Sequence, residues 1–143
     1  MRWVCLDWLT SRIQKYFQCS YECFVCSLAY IELLLRNQQF VLNSYSIHRV
    51  ILTTYNRNLV LMSSMVAAAK FYDDSFFTND LYARIGGVPV DEMNNLELDF
   101  VFLINFSLLI TPEEYQKFYN ELFTHCMSIC SHCRKGRERV LRR

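Results

Sequence analysis

Ser64-Met65-Val66-Ala67-Ala68-Ala69-Lys70-Phe71-Tyr72-Asp73-Asp74 is the stretch on which the fold turns. It predicts a helix built largely of small residues and ending in a lysine. Serine and alanine let neighbouring helices approach closely from several sides, which places such a helix near the middle of a bundle. A lysine at its end is costly to bury unless an anion or carbonyl groups receive it. Downstream, Tyr82-Ala83-Arg84-Ile85-Gly86-Gly87 closes on a Gly-Gly turn, and Asn94-Asn95-Leu96-Glu97 belongs to a second helix carrying a carboxylate. Glu97 is the best-placed partner for Lys70.

The rest of the chain agrees with a helical reading. Its 143 residues suit one domain with one core. At 52% hydrophobic and 15% aromatic it is rich in core-forming side chains, which excludes a disordered chain. Three glycines and two prolines are few for a protein of many short strands and turns, so the expected class is all-α.

The longest run free of Asp, Glu, Lys and Arg, Phe100 to Pro112, is well short of the roughly 18–20 apolar residues that cross a bilayer. No membrane partner is expected. Met1-Arg2-Trp3-Val4-Cys5-Leu6-Asp7 puts an acid where a secretory signal needs an unbroken apolar stretch. Seven cysteines, an odd number, fit free thiols in a reducing, intracellular compartment better than a disulfide framework.

The charge is uneven. Over residues 134–143 Arg134, Lys135, Arg137, Arg139, Arg142 and Arg143 stand against Glu138 alone, so this tail carries +5 and the remainder −4 of a net +1. A basic tail on a mildly acidic body suits nucleic acid, an acidic partner or nuclear import, or is simply solvated.

Periodicity predicts the other helices. Trp3, Leu6, Trp8, Leu9, Ile13 and Phe17 mark a first one over residues 3–17. The next starts near Ser20 and runs to about Arg36, with Phe24, Leu28, Ile31 and Leu35 on its inner stripe, and Asn37-Gln38-Gln39 interrupts it. The small-residue helix is expected to begin near Asn56 and end by Asp73. A short helix or turn over residues 78–85 is closed by Gly86-Gly87, where a positive φ costs little. Pro89 precedes a helix from about Val90 to Asn105. Thr111-Pro112-Glu113-Glu114 offers a capping hydroxyl, proline at the first helical position and Glu114 in capping-box register, opening a last helix to about Cys130.

The words Ala68-Ala69-Lys70-Phe71-Tyr72-Asp73-Asp74, Tyr82-Ala83-Arg84-Ile85-Gly86-Gly87-Val88 and Glu92-Met93-Asn94-Asn95-Leu96-Glu97-Leu98-Asp99-Phe100, in this order and spacing, resemble the cyclin box, specifically that of the P/U-type, phosphate-pathway-like cyclins. The resemblance covers roughly residues 1–125. It implies a five-helix bundle around the small-residue helix, with one box at 1–130 and a basic tail at 131–143. Relative to the family about ten extra residues stand near 44–62, read as a looped insertion or a short additional helix. The match starts at residue 1 without a lead-in segment, as a truncated gene product would.

The resemblance further implies a regulatory subunit, not an enzyme, that binds and activates a cyclin-dependent protein kinase in the nucleus or cytoplasm, with no cofactor. In the family the lysine of the Ala-Ala-Lys word and the glutamate of the Leu-Glu word grip the backbone of the kinase helix that positions its catalytic glutamate. Position by position these are Lys70 and Glu97. Phe71, Val101 and Ile104 would share an apolar edge beside them. Arg2, Asp7, Trp8, Leu59 and Asp74 fall at structural positions of the box. Residues 1–9 resemble the opening of the box in cell-cycle cyclins, where a hydrophobic groove docks substrates, but Cys5 and Ser11 stand where those cyclins carry a leucine and an acid, which argues against such docking. Glu32 and Leu33 replace the Asp and Arg of the family's Tyr-Ile-Asp-Arg-Phe word, weakening one internal salt bridge.

The cysteines form two clusters of equal spacing, Cys19, Cys23, Cys26 and Cys126, Cys130, Cys133. On a helix, i and i+7 lie about 10 Å apart along the axis, so one metal cannot take all three. Small buried cysteines lining a helix interface are the expected reading, and no metal is assigned; Cys126, Cys130, His132 and Cys133 are the remaining metal candidate. No nucleophile with a partnered base and no Gly-rich phosphate loop is present. Asp73 and Asp74 lack the pattern of a calcium loop and would cap the approach to the next helix or face a kinase arginine. The rival readings are a cyclin-fold scaffold and a transcription-type adaptor using the tail, although the acidic body argues against nucleic acid.

Overall fold

The computed structural model describes residues 15–41 and 57–129. These form α1 (Tyr21–Val41), α2 (Arg57–Tyr72), α3 (Asn79–Gly86), α4 (Val90–Leu103) and α5 (Pro112–Ile129), with a helical turn at 15–17 ahead of α1 and no strand among the described residues. The fold is all-α, as expected. α2 packs against α1, α4 and α3, α3 also packs on α4, and α5 lies against α1.

α2 is the axis of the bundle. Every residue from Val60 to Ala69 is buried, close to three turns with no solvent-facing side. Small side chains make this possible, because Ala67, Ala68 and Ala69 let three helices approach one backbone. The buried hydroxyls of Ser63 and Ser64 donate to the carbonyls of Leu59 and Leu61, both at 2.8 Å, so neither is left unpaired. Leu59 itself is half-buried.

α1 corrects two expectations. It does not stop at Arg36 but continues through Asn37-Gln38-Gln39 to Val41. Asn37 donates from Nδ2 to the Leu103 carbonyl at 3.2 Å, at the end of α4. That tertiary bond outweighs the few tenths of a kcal/mol by which Asn and Gln disfavour a helix interior. Its buried face is also broader than a single stripe, with Cys23, Val25, Cys26, Ser27, Leu28, Tyr30, Ile31 and Leu34 inside and Phe24 and Leu35 only half-buried. Cys23 and Cys26 are core, as expected, whereas Cys19 lies before the helix instead of on its face. Glu32 pairs one turn onward with Arg36 at 2.6 Å.

The turn after α3 is a Schellman motif. Gly87 takes φ 70°, its N–H reaches the Arg84 carbonyl at 3.4 Å, and the Val88 N–H reaches that of Ala83 at 3.0 Å. The C-terminus of α4 repeats it without glycine. Asn105 at φ 57° donates to the Phe102 carbonyl and Phe106 to that of Val101, both at 2.9 Å. Two phenols then pin the chain between α4 and α5: Tyr30 and Tyr72 both donate to the Leu108 carbonyl, and the Tyr72 oxygen accepts the Ile110 N–H at 2.8 Å. Burial pushes both phenols up.

The expected capping box opens α5: Glu114 N–H donates to Thr111 Oγ1 at 3.3 Å, and Glu114 Oε2 accepts the Thr111 N–H at 2.9 Å. Arg2, Asp7 and Trp8, most of the 44–62 insertion, Cys130, His132, Cys133 and the basic tail lie outside the described residues.

Candidate functional site

Lys70 sits in the last turn of α2, where the helix emerges from the core after ten buried residues. Glu97 lies in the middle of α4, which packs alongside α2. Their side chains meet at the surface: Lys70 Nζ is 2.8 Å from Glu97 Oε2, with 31% and 19% of the two side chains exposed. Asn79, opening α3, donates from Nδ2 to the same Oε2 and to Asn94 Oδ1, both at 2.7 Å. Three helices thus converge on one carboxylate oxygen. No donor among the described residues bonds the other oxygen of Glu97, and the ammonium has further N–H groups beyond the one used. The pair can therefore bind a partner's backbone carbonyls and N–H groups while remaining paired itself.

The neighbours split between surface and core. Phe71, next to Lys70, is 46% exposed and lies edge-on to Tyr72 at 4.9 Å. Val101, one turn beyond Glu97, is half-buried. Ile104 is not part of the exposed edge. At 0% exposure it belongs to the core with Met93 and Phe100, as the residue that follows the last one of α4.

Sequence reasoning missed a second group, Leu98, Phe102 and Phe106, which are 64%, 56% and 61% exposed. Leu98 and Phe102 share a face of α4 at i and i+4, and Phe106 meets Phe102 edge-on at 6.3 Å. A signal was available. Residues 96–104 carry more apolar positions than one buried stripe can use, so a second apolar face had to meet solvent or a partner. Phe106 holds φ 56°, a left-handed backbone uncommon for an aromatic residue.

Asp73 reaches back to the start of α1, not onward to α3: its Oδ1 accepts from Ser20 Oγ at 2.7 Å and Oδ2 from Ser20 N–H at 3.2 Å. Asp74 is exposed. Of the metal candidate only Cys126, half-buried on α5, lies among the described residues, where no three His, Cys, Asp or Glu side chains are grouped so that they could hold a metal ion. No helix among the described residues is long and apolar enough to cross a membrane.

The cyclin family model matches residues 4–108. Among similar curated proteins, Cyclin-P3-1 of Oryza sativa subsp. japonica is 41% identical over 111 residues, covering 78% of this chain and 43% of the rice protein. Cyclin-U4-1 of Arabidopsis thaliana is 38% identical over 112 residues, 78% of this chain and 50% of its own length. PHO85 cyclin-7 of Saccharomyces cerevisiae is 34% identical over 124 residues, 78% of this chain and 40% of the yeast protein. The chain spans about half the length of the curated relatives it matches. On this match and on the all-α bundle around α2, the chain belongs to the cyclin family, and its relatives place it among the P/U-type cyclins.

Proposed function

We propose that this chain is the regulatory subunit of a cyclin-dependent protein kinase, binding the kinase through Lys70 and Glu97 and favouring its active state. The observation that carries this reading is the partly exposed Lys70–Glu97 pair at 2.8 Å, next to the exposed Phe71. An ammonium and a carboxylate side by side read the end of a helix through its backbone groups, independently of its side chains. Phe71 and Val101 supply apolar contact beside the pair, and Leu98 and Phe102 on α4, with Phe106 just beyond it, offer further exposed apolar side chains. The names of two relatives, a PHO85 cyclin and a PHO85 cyclin-like protein, point to a kinase of that class.

Activation on this reading is a population shift. The cyclin binds the kinase conformation whose helix is swung in, with the kinase's own Lys–Glu pair formed, better than the alternative. The cyclin contributes surface and no chemistry.

The test is a pull-down from the cell extract of the source organism with wild-type protein and a Lys70→Ala/Glu97→Ala double variant, scored for associated kinase activity. Wild type is expected to recover kinase and the folded variant to lose it. Wild type that is folded yet recovers no kinase leaves the scaffold reading in its place.

A further inference from the structure

Two donors from two helices meet on one oxygen of Glu97, and they are not equivalent. Lys70 reaches Oε2 at 2.8 Å from the end of a flexible stem, which follows a carboxylate more easily than it fixes one. Asn79 reaches the same oxygen at 2.7 Å from a short side chain, and its second amide hydrogen goes to Asn94 Oδ1, also at 2.7 Å. An ionised carboxylate only accepts, so the Asn79 group that faces Glu97 is the NH2, which sets the orientation of the amide. Asn79 also stands on a firm base as the first residue of α3. The Thr78 carbonyl just before it accepts the Leu81 and Tyr82 N–H groups at 3.1 and 3.2 Å. Tyr82 is buried, stacks on Phe17 with ring centroids 4.6 Å apart, and accepts the Phe77 N–H through its hydroxyl at 3.1 Å.

The remaining polar atom of Asn79, Oδ1, is buried with no donor among the described residues. A buried acceptor without a partner is a cost to the fold, and here it accompanies an amide whose two hydrogens both go to α4. We propose that Asn79 is a positioning residue for kinase binding, holding the Glu97 carboxylate so that Oε1 is presented to the N–H groups of the kinase helix while Oε2 stays on Lys70. This rests on the reading of Lys70 and Glu97 as the kinase-binding pair and adds that α3 sets the geometry of that pair. Lys70 alone would hold Oε2 but leave the carboxylate free to turn about the contact. With Asn79 in place, the Glu97 side chain is ordered before the kinase arrives, so its rotamer freedom is not lost on binding.

The test has two arms, both on the full chain. In the free protein, three-bond NMR couplings of the Glu97 side chain read its χ1 rotamer. Wild type is expected to hold one rotamer and Asn79→Ala to average over several. In the second arm the kinase recovered by wild type from the extract is purified and titrated against each protein. Asn79→Ala is expected to bind it about three- to tenfold more weakly. Asn79→Asp, which sets a second carboxylate against Glu97, is expected to be weaker still and to displace the Glu97 rotamer. Aspartate is favoured at the start of a helix, so this variant carries both arms should Asn79→Ala fail to fold. A Glu97 rotamer unchanged in the folded variant overturns the proposal, and so does an averaged rotamer with binding within about twofold of wild type. Wild type that recovers no kinase, or a Lys70→Ala/Glu97→Ala protein that binds as wild type does, overturns the kinase-binding reading and this proposal with it. The first arm needs no kinase, so a failure of Asn79 to hold Glu97 is told apart from a failure of that reading.

Discussion

Asp73, at the C-terminal end of α2, closes the N-terminus of α1 from 53 positions further along the chain, with Oδ1 2.7 Å from Ser20 Oγ and Oδ2 3.2 Å from Ser20 N. Ser20 Oγ in turn accepts the Cys23 N–H at 3.1 Å. In a local capping box the residue three beyond the cap would bond the cap's N–H, but that residue here is Cys23, which cannot act as a carboxylate. Asp73 supplies the missing group from another helix and so couples the start of α1 to the end of α2. Asp73→Ala is expected to cost about 1–2 kcal/mol in thermal or urea unfolding. Asp74→Ala, at an exposed neighbouring site, should stay within about 0.5 kcal/mol. Equal losses at the two positions would remove the coupling from the account of stability.

Gly86 and Gly87 are adjacent but constrained differently. A Cβ on Gly87 meets no atom within 4 Å, yet its φ of 70° is disfavoured for any side chain. Gly87→Ala should therefore destabilise by about 1–2 kcal/mol through the backbone alone. A Cβ on Gly86 comes within 3.3 Å of Met62 Cε, the mobile end of a flexible side chain, at a helical position where alanine is favoured by about 0.5–1 kcal/mol. Gly86→Ala should fall near neutral. Paired melting curves check both, and a larger loss at Gly86 than at Gly87 contradicts the argument.

What the sequence disclosed follows from how local each signal is. The capping box at Thr111 and the glycine turn after α3 involve groups within a few residues, so their chemistry could be read in place. The pairing of Lys70 with Glu97 came from the resemblance and from the cost of burying a lysine, and the distance agrees. The continuation of α1 past Arg36 could not be read, because it depends on Asn37 finding the Leu103 carbonyl 66 positions away. The partner of Asp73 was hidden for the same reason. The second apolar face of α4 was legible in principle, since an excess of apolar positions is a property of that segment alone.

The buried run of α2 predicts low tolerance to added volume. Ala68 is 0% exposed in the helix on which α1, α3 and α4 close. Leucine nearly equals alanine in helix propensity, so Ala68→Leu isolates the packing cost, expected at about 1–3 kcal/mol. Met65→Ala, also at 0% exposure, removes volume and is expected to cost about 2–5 kcal/mol. Chemical denaturation of the two variants measures both. A neutral Ala68→Leu would mean that the neighbouring helices can move apart, against the reading of α2 as a tightly enclosed axis.

Phe106 offers a way to separate binding from folding. Its left-handed backbone, at φ 56°, costs about 1–2 kcal/mol for a residue with a side chain. What the side chain returns within this chain is small: it is 61% exposed and makes an edge-on contact with Phe102, itself 56% exposed. Strain retained at an exposed aromatic residue points to a use outside the fold. Phe106→Gly relieves the strain and deletes the ring, so its melting temperature should stay level or rise, while kinase recovered in the pull-down falls by about tenfold or more if the ring is a central contact. Phe71→Ala, at a site with ordinary helical backbone, should lose a comparable share of binding without gaining stability. A Phe106→Gly protein that unfolds at lower temperature would place the ring's role within the fold. One that keeps both its stability and its kinase would remove Phe106 from the binding surface.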